Sequence, residues 1–222
     1  MALPARADRL DDDLNTVWEA TWDQRGTPSR LIRWQQPIRY RFVDERETRQ
    51  RETVVAALTS AAEAAGVAIG PAGASDSVGS QANLDIEFVD EHSMGESVSC
   101  VVNHRSRAFA ITSARLKLRP SEAWSCAHHE AMHVMGVLGH PSGRTVLSYF
   151  PWRRDVLLPL DRLMLSAWYD PALRPGATPF ELLWAAGLRV AQQADLDVDR
   201  VRAHERRQTH YTERVREMES FA

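Results

Sequence analysis

Apolar positions recur along the chain at two periods, near two and near 3.6 residues, and these divide it into strands and helices. Leu10, Leu14, Val17, Trp18 and Trp22 predict a short helix over 9–24 with one apolar side, followed by a turn at Gly26-Thr27-Pro28. Ile38, Tyr40 and Phe42 then alternate with Arg39 and Arg41, the mark of a half-buried strand. Between Thr48 and Ala65, Val54, Leu58, Ala61, Ala62 and Ala65 return to helical spacing, and Gly66 supplies a stop. Residues 70–82 are rich in Gly, Ser, Ala and Asp and predict a loop. Leu84-Asp85-Ile86-Glu87-Phe88 alternates again.

Strands are expected at Val98–Asn103 and Ala108–Thr112, joined by a turn at His104-Arg105-Ser106. Ala114, Leu116 and Leu118 form either a continuation of the second or a separate strand. Pro120-Ser121-Glu122 opens the next helix, with Ser121 as N-cap and Glu122 favourable to its dipole. Ala127, Ala131, Val134 and Leu138 give that helix an apolar stripe. Residues 141–151 read as irregular. Leu160, Leu163, Met164, Ala167 and Trp168 mark a helix ending near Asp170-Pro171. Thr178-Pro179-Phe180-Glu181 is a capping box that starts another, running to about Ala194. Beyond Asp195 the chain is dense in Arg and Glu, and Val201, Tyr211, Val215 and Met218 leave only a thin stripe. That stretch is a surface or partner-binding helix, or a solvated tail. The order of elements implies an α+β domain, a mixed sheet flanked by helices, with a helical C-terminal part. The expected division is an N-terminal helical extension over 1–30, the domain over 31–194 and the charged segment over 195–222.

Composition narrows the function classes without choosing among them. The 222 residues are 44% hydrophobic and 26% charged, with formal net charge −3. No global field recruits nucleic acid or an anionic membrane. No apolar run of membrane-spanning length occurs. Met1–Asp13 lacks the apolar core of a signal peptide, so either a cytoplasmic protein or a mature exported form is expected. Cys100 and Cys126 permit one disulfide without demanding it.

The chemistry concentrates in His128–His140, which holds four of the eight histidines. His129, Glu130 and His133 form H-E-x-x-H, placing two imidazoles one helical turn apart with a carboxylate beside them. Such a helix supplies two zinc ligands with little ordering cost. Catalytic zinc takes three protein ligands and keeps a position for water, toward which the glutamate projects as general base and acid. By average residue frequencies the pattern arises by chance in roughly one chain of this length in a few hundred, so two unrelated surface histidines are the weaker reading.

Together with the residues after it, the motif resembles the metzincin pattern H-E-x-x-H-x-x-G-x-x-H. Gly136 falls at the glycine that turns the chain off the helix, and His140 comes one residue later than the third ligand, a residue that Gly139 could absorb in a looser turn. His140-Pro141 and Gly143 are similar to the segment after that ligand in serralysin-like members. Thr145-Val146-Leu147-Ser148-Tyr149-Phe150 resembles their Met-turn, with Leu147 in place of methionine. The resemblance implies a zincin-like fold, zinc on His129, His133 and His140, Glu130 as base, and Tyr149 as ligand or oxyanion donor. Over about residues 32–190 the chain also resembles an uncharacterised, mostly exported bacterial family of predicted metal-dependent peptidases. Ala82–Val89, Cys100, Cys126, Asp161–Pro171 and Leu173–Gly176 carry that likeness, which implies export.

For the cysteine pair a disulfide is favoured over a buried thiol, and both over a metal ligand at Cys126. Asp161 is a substitute ligand should His140 point away; otherwise it braces its helix. His128 is expected beside the site or facing solvent. His92, His104, His204 and His210 are expected at the surface, and the tryptophans in the core or an interface. The function expected is a zinc endopeptidase acting on a peptide or protein, with an edge strand within 107–118 holding the substrate. An inactive zinc-binding module for a protein or peptide is the alternative, and a metal-free structural domain the third. A partner at the C-terminal helix is a further expectation.

Overall fold

A computed structural model describes residues 6–22, 27–43, 48–73, 81–90, 93–95, 99–149, 156–194 and 198–219. Gly26, most of the loop read at 70–82, His92, Val98, Phe150 and Pro151 lie outside them, as do the side chains of His210, Tyr211, Val215 and Met218.

Helix α1 (Arg6–Ala20) is followed by a two-residue strand β1 (Arg33–Trp34), β2 (Ile38–Phe42), α2 (Thr48–Ala65), β3 (Ile69–Pro71) and β4 (Leu84–Phe88). Then come β5 (Cys100–Arg107), β6 (Ala110–Leu118), a 3-10 turn at Pro120–Glu122, and the helices α3 (Ala123–Val134), α4 (Pro159–Trp168), α5 (Pro179–Ala194) and α6 (Val198–Glu219). Among the described residues six strands form one sheet, in the order β1-β6-β4-β2-β3 with β5 also on β6. β1, β2, β3, β4 and β6 run parallel, and β5 pairs with β6 antiparallel. This is a mixed α/β architecture, a largely parallel sheet flanked by helices.

Alternation sorts the two faces of the sheet. Ile38, Leu84, Ile86, Ala114, Leu116 and Leu118 lie on the buried face, in one apolar cluster with α2, α3, α4 and α5. The opposite face carries a charge ladder across paired strands. Arg41 and Arg115 flank Asp85 at 2.6 and 3.7 Å, and Lys117 stands 3.8 Å from Glu87. α1 joins the same core through Leu14, Val17 and Trp18.

Several sequence expectations need correction. The hairpin turns at Ala108-Phe109, not at His104-Arg105-Ser106, and β6 is a single strand through Leu118. Both turn residues have positive φ, 48° and 65°, the conformation that two-residue hairpins usually assign to Asn-Gly. Lacking that signature, the turn was invisible in the sequence. Because β6 is paired along both sides, it is β5, at 100–107, and not the strand expected within 107–118, that forms an edge of the sheet among the described residues, as β3 does at the other end. A short strand, β3, opens the stretch read as loop. Ser121 does not cap α3: it sits in the 3-10 turn, and the helix starts at Ala123 with Glu122 at the N-cap, whose side chain makes no capping bond to the helix amides. Leu138 lies beyond the end of α3 and so leaves its stripe. α6 is a helix whose first turns are docked, Val201 being buried beside Gly187 of α5. The capping box is present: Glu181 accepts from the Thr178 amide at 2.6 Å, and Thr178 Oγ1 accepts from the Glu181 amide at 3.3 Å.

Candidate metal centre

α3 carries the motif, and its C-terminal end is tied down. Trp34 Nε1 donates to the Val134 carbonyl at 2.8 Å, and Tyr169 Oη donates to the Met135 carbonyl at 2.8 Å. Two carbonyls that a helix end leaves unpaired are thereby satisfied inside the core. Gly136 then turns the chain away with φ 95°, where a Cβ would also collide with the Ile32 carbonyl. Glycine is required on both counts.

The returning segment leans on α1. Gly139 donates to the Ala20 carbonyl at 3.1 Å, and a side chain there would strike the Glu19 and Ala20 backbone. Glycine is needed there for close approach, with no left-handed conformation. Glu19 accepts from the Ser142 amide at 2.7 Å and from its hydroxyl at 2.9 Å. These contacts set the path that carries His140 back over α3.

The three histidines converge. His133 Nε2 lies 3.0 Å from His129 Nε2 and 3.0 Å from His140 Nε2, and the three residues form a group able to hold a metal ion. On the far side of two of the rings, His129 Nδ1 donates to the Val146 carbonyl at 3.0 Å and His133 Nδ1 to the Val137 carbonyl at 2.6 Å. A carbonyl only accepts, so each Nδ1 carries a proton, and a neutral ring so held presents a bare Nε2. Burial, with the neighbouring histidines second, pushes the His133 pKa well down, so that ring is neutral. The bare His133 Nε2 thus faces the Nε2 atoms of His129 and His140, each at 3.0 Å. A cation shared by the three is the partner such a convergence suits, and imidazole nitrogens suit zinc and its neighbours. The residues fit a metal.

Glu130 is 5% exposed, and its Oε2 is buried without a hydrogen-bond partner. Desolvation raises its pKa to about 8. Tyr149 Oη contacts His140 Nε2 at 2.8 Å, its ring stacks on His140 with centroids 4.4 Å apart, and its outer edge is open to solvent. Burial and then the Glu130 charge raise its pKa, so it stays a phenol.

No family model, curated protein or solved structure matches the chain. The metzincin likeness therefore rests on these residues and their geometry alone.

All five residues singled out for the site, His129, Glu130, His133, His140 and Tyr149, come from α3 and the segment after it. Asp161 does not join the metal group: fully buried, it binds the 145–146 segment instead. Cys126 is joined to Cys100 by a disulfide, tying the start of β5 to α3 one turn before His129. His128 is half-buried and outside the triad. Two histidines expected at the surface are not there. His104 faces the end of α3, where burial lowers its pKa, and His204 is 2% exposed with Nδ1 3.5 Å from Asp11 of α1. Both lie on amphipathic elements whose partners are far away in sequence. Asp161 braces α4 as its alternative reading expects, accepting from the Leu158 amide at 2.8 Å, whereas Thr145, buried against it, is a structural residue that no local pattern in the sequence marks.

Proposed function

We propose that this protein is a zinc-dependent endopeptidase of zincin-like fold. The convergence of three Nε2 atoms, two of them on rings whose Nδ1 donates to a carbonyl on the far side, is the observation that carries the reading. His129, His133 and His140 would hold the ion. When bound, zinc supplies a Lewis acid that acidifies water and polarises the scissile carbonyl.

Glu130 takes a proton from the attacking water as its oxygen bonds to the carbonyl carbon, and delivers it to the amide nitrogen as the C–N bond breaks. Its buried, unpartnered Oε2 supports that role, since that oxygen is left without a competing hydrogen bond. The Tyr149 phenol donates to the oxygen on which negative charge develops. The edge of β5 away from β6, which no other described strand pairs, offers main-chain hydrogen bonds to an extended peptide, and the Cys100–Cys126 link fixes that strand against α3. The same disulfide supports residence in an oxidising compartment, in keeping with export. No described helix is long and apolar enough to cross a membrane.

Incubating the zinc-loaded protein with a broad peptide library, read by mass spectrometry, tests this function. Cleavage that disappears in Glu130→Gln while zinc is retained is the expected result. Zinc retained with no cleavage by the wild type would overturn turnover and favour a binding module instead.

A further inference from the structure

We infer that Asp161 is a positioning residue for the metal centre, acting on His129 through Thr145 and the peptide group between Val146 and Leu147. The inference rests on the reading of His129, His133 and His140 as metal ligands.

Asp161 lies in the first turn of α4 and is wholly buried, as is Thr145. Its carboxylate accepts from Thr145 Oγ1–H, from the Val146 amide at 3.3 Å and from the Leu158 amide at 2.8 Å. Thr145 Oγ1, its one proton committed to the carboxylate, accepts from the Leu147 amide at 3.2 Å. That amide and the Val146 carbonyl are the two ends of one peptide group, and the Val146 oxygen accepts from His129 Nδ1 at 3.0 Å.

The donors therefore point one way along the whole path. His129 Nδ1–H donates to the peptide oxygen, the peptide N–H to the hydroxyl, and the hydroxyl to the carboxylate. In a buried setting such a chain polarises each member in the same sense. The Val146 oxygen becomes a stronger acceptor, the proton stays on Nδ1, and the His129 lone pair stays on Nε2, facing the other two rings. Metal-ligating histidines are commonly held by a carboxylate bonded directly to the outer nitrogen. Here the carboxylate acts at a distance, through one hydroxyl and one peptide group. The bond from the Leu158 amide is separate, since it caps α4 and would exist without the relay.

Thr145→Val cuts the relay while keeping side-chain shape and leaving Asp161 its cap; Thr145→Ser restores the hydroxyl. Two readouts apply to each. In metal-free protein, the ring-nitrogen NMR shifts of His129 report its tautomer. Wild type and Thr145→Ser should show the proton on Nδ1, and Thr145→Val a mixture that includes the Nε2–H form. In the second, zinc affinity by chelator competition should fall about tenfold or more in Thr145→Val and stay within about twofold in Thr145→Ser. Wild-type tautomer and wild-type affinity in Thr145→Val overturn the inference, whatever happens to its melting temperature. Should Thr145→Val not fold, Asp161→Asn removes the charge at constant shape and is held to the same two readouts, with no change in either again overturning it. A wild type that binds no zinc would overturn the metal reading, and the tautomer readout would still decide the relay.

Discussion

Two kinds of group meet in the candidate site, imidazoles gathered about one point and an acid held from solvent. Substituting Glu130 with Gln should leave zinc content unchanged and lower kcat/KM about 10²–10⁴-fold, the range for a general base. Tyr149→Phe should also retain zinc and lower kcat about 10²-fold, the lower end for one oxyanion donor, because the ring is partly open to solvent. The metal-free protein makes the burial visible through pH. Glu130 has a folded pKa raised to about 8, so the native state holds a proton that the unfolded chain has lost. Its stabilising contribution is whole below the unfolded value and drains away as pH rises through 8. His133, His140 and His204 have lowered pKa values and work the other way, their contribution being complete above about 6.5 and lost on acidification. Between pH 6.5 and 8 the slope from Glu130 remains, up to about 1.4 kcal/mol per pH unit. Thermal denaturation of metal-free protein should therefore show falling stability over that window, and Glu130→Gln should flatten it.

At the scale of elements, the site depends on how α3 ends and where the chain goes next. Gly136→Ala forces a side chain into a left-handed backbone and against the Ile32 carbonyl, so it should cost more than the ~1–2 kcal/mol of the backbone conformation alone. Trp34→Phe leaves the Val134 carbonyl buried without a donor and should cost about 1–3 kcal/mol. Chemical denaturation checks both. The elements were legible where one face is buried and the ends carry punctuation. β2 and β4 alternate cleanly, α2 stops at a glycine with φ 68°, and α5 begins with its capping box. They were illegible where tertiary context overrides local preference. Ala108-Phe109 adopt a turn that their side chains disfavour, held by the β5–β6 ladder and by the bond from the Arg33 amide to the Phe109 carbonyl. The H-E-x-x-H residues could be read from spacing alone, because one helix fixes them. His140 was named only through the metzincin resemblance, since the path that brings it back depends on Glu19 and Ala20, more than a hundred residues earlier.

Across the whole molecule, distant segments brace a short metal-bearing stretch. α1 supports the loop bearing His140, α4 supplies Asp161, and the disulfide joins α3 to β5. The paired cysteines are 26 positions apart, and chain-entropy reasoning gives their link about 3–4 kcal/mol. Cys100→Ser with Cys126→Ser should lower stability by that order, measured by denaturant titration, and weaken peptide binding at β5 more than zinc binding. α6 shows why whole-molecule context escaped the sequence: a strongly charged helix is docked by Val201 against Gly187 and by His204 beside Asp11. The most direct test of the central claim is an anomalous difference map at the zinc edge, from crystals of protein purified without added metal. One peak per chain, in contact with the Nε2 atoms of His129, His133 and His140, is the predicted result. No peak there, with the three rings turned away from one another, would contradict it.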